Sequence, residues 1–140
     1  MKRLRRFLTI VVAITVALTL APKLSVAASW TPQALENEST LEFLSVEADD
    51  NEHWSPVWLV VIDGNLYLRL GNRAVRRLTG SQIYPLTAVR VAGEEFRPMV
   101  AIEANDMAER VAKAMGEKYF SDILVRHWPH PLTVRLRTHE

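Results

Sequence analysis

The strongest pattern in the chain is Pro56-Val57-Trp58-Leu59-Val60-Val61-Ile62, followed by Asp63-Gly64-Asn65 and then Leu66-Tyr67-Leu68-Arg69-Leu70. β-branched and aromatic residues at this density favour extended backbone, and Asp-Gly suits a tight turn with positive φ, so the segment predicts a β-hairpin. Val57 to Ile62 is apolar on both faces, which implies a central strand covered on each side. In the return strand Leu66, Leu68 and Leu70 point one way while Tyr67 and Arg69 point the other. Upstream, Thr40 to Glu47 alternates, with Leu41, Phe43 and Ser45 on one side, and reads as an opening strand. The acidic stretch Glu47 to His53 reads as a loop.

Beyond the hairpin, Gly71 ends the strand, and Asn72 is expected to cap a short helix from Arg73 to Leu78 that Thr79-Gly80-Ser81 breaks. A second hairpin follows, with strands Leu86 to Val91 and Glu95 to Glu103 joined around Ala92-Gly93-Glu94; Pro98 points to an edge or a bulge. Asn105 is expected to cap a helix through Tyr119, in which Met107, Ala108, Val111, Ala112 and Met115 form one apolar stripe. Phe120 to Trp128 reads as a short helix stopped by Pro129-His130-Pro131, and Leu132 to Arg137 alternates as a final strand. Residues 29 to 40 mix Trp30 and Pro32 with polar side chains without a period and read as an entry segment. Such an order implies a mainly β fold with two helices, closed as a small antiparallel barrel.

The first 27 residues follow a different logic. Met1 to Arg6 is basic, and Phe7 to Ala21 is an uncharged apolar run of 15 residues ended by Pro22 and Lys23. A membrane-spanning helix needs about 20 apolar residues. The pattern therefore reads as a cleavable export signal, with small residues placed for a cut after Ala27 or Ala28. Arg5-Arg6-Phe7-Leu8 half resembles a twin-arginine signal but lacks the spacer, so the general export route is expected. The expected organisation is a signal peptide over 1–27, a linker over 28–40 and a barrel domain over 41–140. The expected location is extracytoplasmic, periplasmic or secreted, without membrane attachment after cleavage.

Removing the signal changes the charge. Five of the 17 Lys and Arg residues lie within it, leaving 12 basic against 16 acidic side chains, which argues against a general nucleic-acid binder. With no cysteine, disulfides, thiolate catalysis and bacterial-type N-terminal lipidation are excluded. Residues 28 to 68 carry eight acids and neither Lys nor Arg, so all the remaining basic side chains follow. Such asymmetry implies two faces of a dimer or one anion-binding face, set against plain surface solvation.

From Trp54 to Leu136 the order of elements resembles the FMN-binding split barrel superfamily, the pyridoxamine-phosphate-oxidase-like and deazaflavin-dependent reductase group. The resemblance rests on Pro56 to Arg69, the short basic helix, and Leu86-Thr87-Ala88-Val89-Arg90-Val91-Ala92-Gly93-Glu94-Glu95-Phe96. It implies an antiparallel split β-barrel, a homodimer, and FMN or deazaflavin held in a groove between subunits. The family's phosphate contacts follow the return strand, and the matching positions are Arg69, Asn72, Arg73, Arg76 and Arg77, with Tyr67 as a pocket wall. Arginine forks and a helix start within one short stretch suit a phosphate dianion; the alternative is arginines solvated or paired with the acidic half. Lysine and hydroxyl residues, common in the oxidases' phosphate loop, are missing between Arg69 and Leu78. The cofactor supplies the redox chemistry in such proteins, so the resemblance assigns no catalytic side chain.

Other chemistry is sparse. His127-Trp128-Pro129-His130 offers two imidazoles to a metal or haem iron, but without an H-E-x-x-H motif a surface loop is expected. His53 beside Asp49, Asp50 and Glu52 is expected in a solvated acidic loop rather than on a divalent cation. Trp54 and Trp58 are candidates to stack on a flavin ring, with core packing the default for Trp58. No G-x-S-x-G elbow supports a hydrolase. The leading expectation is an exported flavin- or deazaflavin-binding protein with oxidoreductase chemistry in reach. A non-enzymatic extracytoplasmic ligand- or protein-binding module without cofactor is the alternative, and haem binding through His127 or His130 is third.

Overall fold

Alternating side chains build six strands, and the computed structural model, which describes residues 29–119 and 129–139, closes them into one barrel. They are β1 (Thr40–Val46), β2 (Glu52–Ile62), β3 (Asn65–Leu70), β4 (Leu86–Val91), β5 (Glu94–Glu103) and β6 (Leu132–Thr138). Around the barrel the order is β1-β2-β3-β6-β5-β4, every neighbouring pair antiparallel. Two α-helices, α1 (Asn72–Thr79) and α2 (Ala108–Lys118), complete a mainly β fold of the expected class.

Both hairpin turns use the conformation that matches strand twist. Asp63 and Gly64 sit at φ 49° and 74°, and Ala92 and Gly93 at 52° and 79°, so each turn has two left-handed central residues. Ala92 holds that conformation despite its Cβ, which costs roughly 1–2 kcal/mol. The period of two then sorts side chains into two cores. Leu41, Phe43, Leu59, Leu66, Leu68, Val89 and Val134 fill the barrel interior. Val60 and Tyr67 point outward and are covered by Val111, Met115 and Tyr119 at α2. Leu59 and Val60 are therefore buried on the two faces of β2, while Val57, Trp58, Val61 and Ile62 stay partly exposed, and truncating the fully buried Leu59 to Ala would remove about 2–5 kcal/mol of stability.

Four local expectations change. β2 starts at Glu52 rather than Pro56, because Glu52 to Ser55 pair with Val46 to Phe43 of β1; the ladder makes a strand of residues whose composition reads as loop. Asn72 does not cap α1 but lies within it, and Gly71 is the N-cap, its carbonyl accepting from Val75 N at 2.9 Å. Asn105 does not cap α2 either. It opens a 3-10 turn, where its Nδ2 donates to Glu103 Oε1 at 2.7 Å and its Oδ1 accepts from Thr133 N at 2.9 Å, tying β5 to β6. Residues 29 to 40, without a period, still pack on the barrel: Leu35 is buried, and Trp30 meets Phe96 edge-on at 5.1 Å.

The Pro98 expectation holds as a bulge. Thr87 pairs with Met99 but Val89 with Phe96, so β5 carries one residue more than β4 across that step. The expected helix over Phe120 to Trp128 and the expected signal over 1–27 lie outside the described residues. Among the described residues, no helix is long and apolar enough to cross a membrane.

Candidate functional site

A change of partner along β2 creates the site. Its residues Glu52 to Trp58 pair with β1, whereas Leu59 to Ile62 pair with β3. The second edge of the Glu52–Trp58 half has no strand beside it among the described residues. Leu59 N donates to Ser39 O, so by alternation Val57, Ser55 and His53 direct their backbone groups to β1. Pro56 thus has its missing N–H at the open edge, where a ladder loses nothing. Here the barrel is split, and a cleft of about 790 Å³ follows the gap.

Each wall of the cleft comes from a different element. β2 supplies His53, Ser55, Pro56, Val57 and Trp58, and Thr40 of β1 and Met115 of α2 extend that side. The same cleft is lined by Arg69 at the end of β3, by Gly71, by Asn72, Arg73, Ala74 and Arg77 along α1, and by Pro129 and His130. Apolar and basic groups therefore share one cleft. Of the residues singled out in the sequence, Arg69, Asn72, Arg73 and Arg77 meet here.

Two others do not line this cleft. Arg76 lines a smaller adjoining groove of about 340 Å³, together with Arg73, Arg77, Ser45 and Ser81. Tyr67 is only 5% exposed and packs in the outer core beneath α2, because Leu66 and Leu68 take the barrel interior and leave Tyr67 the face that α2 covers. Trp54, a candidate ring platform, is also elsewhere: the Arg90 guanidinium lies over it, 3.6 Å from the ring centroid.

Among the described residues, Arg73, Arg76 and Arg77 form no ion pair with a carboxylate, although Arg90, Arg97 and Arg110 do. Arg76 and Arg77 do sit in the last turn of α1, where cations suit the helix dipole. That role asks for charge but leaves the guanidinium hydrogen-bond donors available to a ligand.

Behind the apolar wall the packing is fixed. Trp58 stacks on Tyr119 with ring centroids 4.9 Å apart and planes 12° from parallel. The single proton of the Tyr119 hydroxyl is shared between Ser39 O at 2.7 Å and Leu59 O at 2.6 Å. Lys118 Nζ donates to Glu36 O at 2.9 Å, Leu59 O at 3.3 Å and Glu38 O. Burial pushes the Tyr119 hydroxyl above the usual tyrosine range and the Lys118 amine below the usual lysine range, each against its charged form. Ser55 Oγ is buried with no hydrogen-bond partner, an orphaned group in the wall of the cleft.

Sequence reasoning put His53 in a loop and gave Ser55 no role. The pairing of β2 with β1 brings both to the cleft, and the spacing of His53, Ser55 and Val57 at every second residue was the available signal. His130 reaches the rim, and His127 lies outside the described residues. Among the described residues, no group of three or more His, Cys, Asp or Glu side chains forms a metal site.

No family model matches this chain, and no curated protein matches it in sequence. Among solved structures the fold is similar to HutZ, the heme storage protein from Vibrio cholerae, with a TM-score of 0.56 and 18% sequence identity over 78% of this chain and 89% of that one. At that identity the similarity shows the fold alone, and with the closed six-strand barrel it makes this chain a split β-barrel.

Proposed function

We propose that this chain binds a planar, negatively charged small molecule in the split of its barrel. One observation carries the reading: Arg73 and Arg77, without a carboxylate partner among the described residues, line the same cleft as the apolar side chains Val57 and Trp58. Guanidinium forks suit a phosphate or carboxylate, and an apolar wall suits a ring. Arg69 at the strand end and Asn72 in the first turn of α1 extend the polar side.

FMN or a deazaflavin is the first reading, because one phosphate and one flat ring use both walls and because the chain resembles flavin-binding split barrels. Redox chemistry would then come from the flavin, while the chain's own residues bind and orient it. Haem is the second reading. His53 and His130 line the same cleft, arginines suit carboxylate side groups, and the structural neighbour HutZ is a heme storage protein. Export by the N-terminal signal, a barrel domain over 41–140 and homodimerisation belong to the same proposal. The basic run followed by an uncharged apolar run supports the first of these.

The test is an absorbance titration of the purified full chain with FMN and, separately, with hemin. A shifted flavin spectrum with saturation supports the first reading, and a sharpened Soret band supports the second. A folded protein that leaves both spectra unchanged would sink the cofactor reading and move the function to a cofactor-free binding module.

A further inference from the structure

The cleft has a second chemical feature besides its arginines. Trp58 lines the cleft that α1 also lines, and one side of its indole is taken up by Tyr119. Tyr119 is 9% exposed, and its hydroxyl is held by two backbone carbonyls from different segments, Ser39 and Leu59. Lys118, next in the chain, donates to that same Leu59 carbonyl and to the Glu36 carbonyl. A half-buried indole backed in this way has lost its rotational freedom before any ligand arrives, which lowers the entropic penalty of stacking on it. Ordinary core packing accounts for the buried Tyr119, but it does not require the indole in front of it to remain half-exposed at the wall of a cleft.

Resting on the proposed function, we infer that Trp58 is a ring subsite separate from the anion subsite, taking the flat aromatic part of the ligand by stacking, with Tyr119 as its positioning residue. Trp58 and the arginines come from different elements, β2 against α1, so the two halves of a ligand are read independently. A ligand lacking the anion keeps the ring contact, and a ligand lacking the ring keeps only the charge contact.

The experiment uses the full chain with FMN, with riboflavin, which has the same ring and no phosphate, and with hemin. Trp58→Leu is compared with an Arg73→Ala/Arg77→Ala double variant, and circular dichroism confirms folding. Should Trp58→Leu fail to fold, Trp58→Phe keeps a smaller ring in its place. Stacking on an indole quenches flavin fluorescence. Riboflavin bound to the wild type is therefore expected to be dark, and its affinity to fall roughly tenfold in Trp58→Leu, with fluorescence returning to whatever remains bound. The double variant is expected to lose FMN affinity and keep riboflavin affinity. If hemin is the ligand, its affinity is expected to fall by a similar factor in the Trp58 variant. FMN or hemin binding that is indifferent to Trp58, or bound flavin that stays bright, overturns the ring subsite and leaves the anion site standing. No binding of any of the three to folded wild type overturns both.

Discussion

Two groups of arginines on this barrel are treated in opposite ways. On β4 and β5, Arg90 donates through Nε to Glu95 at 2.9 Å, Arg97 reaches Glu52 at 3.2 Å and also pairs with Glu95, and the Arg90 guanidinium sits over the Trp54 ring. These guanidinium groups are spent on neighbours, and the Glu95 carboxyl is held below its ordinary range chiefly by Arg97 and then by Arg90. On α1, Arg73, Arg76 and Arg77 stand close in sequence, yet none forms an ion pair with an acid among the described residues. A charge already paired on the surface contributes little to binding, whereas unpaired forks beside an apolar wall form a receptor for an anion. The same residue type is paired in one place and carries no ion pair in the other, where the proposed function puts a ligand.

The comparison breaks first if the α1 arginines prove dispensable. Replacing Arg73 and Arg77 together with Ala is expected to weaken FMN binding by at least roughly 100-fold, since each charge-assisted contact is worth about 1.5–3 kcal/mol, while the melting temperature stays within a degree or two of wild type, about the scatter of surface changes. Equilibrium dialysis and thermal melting on the same samples read both effects. A group locked without any ion pair calibrates the structural side. Tyr119→Phe leaves the Ser39 and Leu59 carbonyls short of a donor and is expected to lower stability by about 1–2 kcal/mol in denaturant titrations.

Smaller effects sharpen the contrast. Glu95→Gln is expected to lower the melting temperature slightly without changing ligand affinity. Because the Glu95 carboxyl titrates lower in the folded chain, its contribution is present above its ordinary value near 4.5 and is lost as pH falls through the folded value. The wild-type melting temperature should therefore decline more steeply than that of Glu95→Gln as the buffer is taken below that value. Tyr119 has the opposite sense: its raised value gives a contribution that is present below the ordinary value near 10 and lost as pH rises above it. The smallest effect expected is that of Arg76→Ala, whose side chain lines the adjoining groove; a change in FMN affinity beyond about twofold would move the anion site toward that groove.

How much of this was legible in the sequence depends on whether the information is local. The hairpin around Asp63-Gly64 and the outward turn of Tyr67 and Arg69 follow from alternation and turn chemistry, which act within a few residues. The second hairpin and the Pro98 bulge follow in the same way. The split barrel was expected through the family resemblance, but the place of the split was not legible, because it arises where β2 exchanges β1 for β3, a long-range pairing that also turns Glu52 to Ser55 from apparent loop into strand. Arg69, Asn72, Arg73 and Arg77 were named through the family resemblance, whereas His53, Ser55 and Met115 join them at the cleft only through long-range pairing and packing. Asn72 and Asn105 were misread for another reason: each has the right type for a cap, but the local backbone gives Gly71 that role in α1 and engages Asn105 across two strands.

The central claim is that the open arginines of α1 hold the anionic part of a ligand in the split of the barrel. Isothermal titration of FMN into the full chain and into the Arg73→Ala/Arg77→Ala variant, at low and at raised salt, tests it most directly. Saturable binding to the wild type that weakens with salt is expected, and its loss in the variant. Equal binding by the two proteins, indifferent to salt, would contradict it.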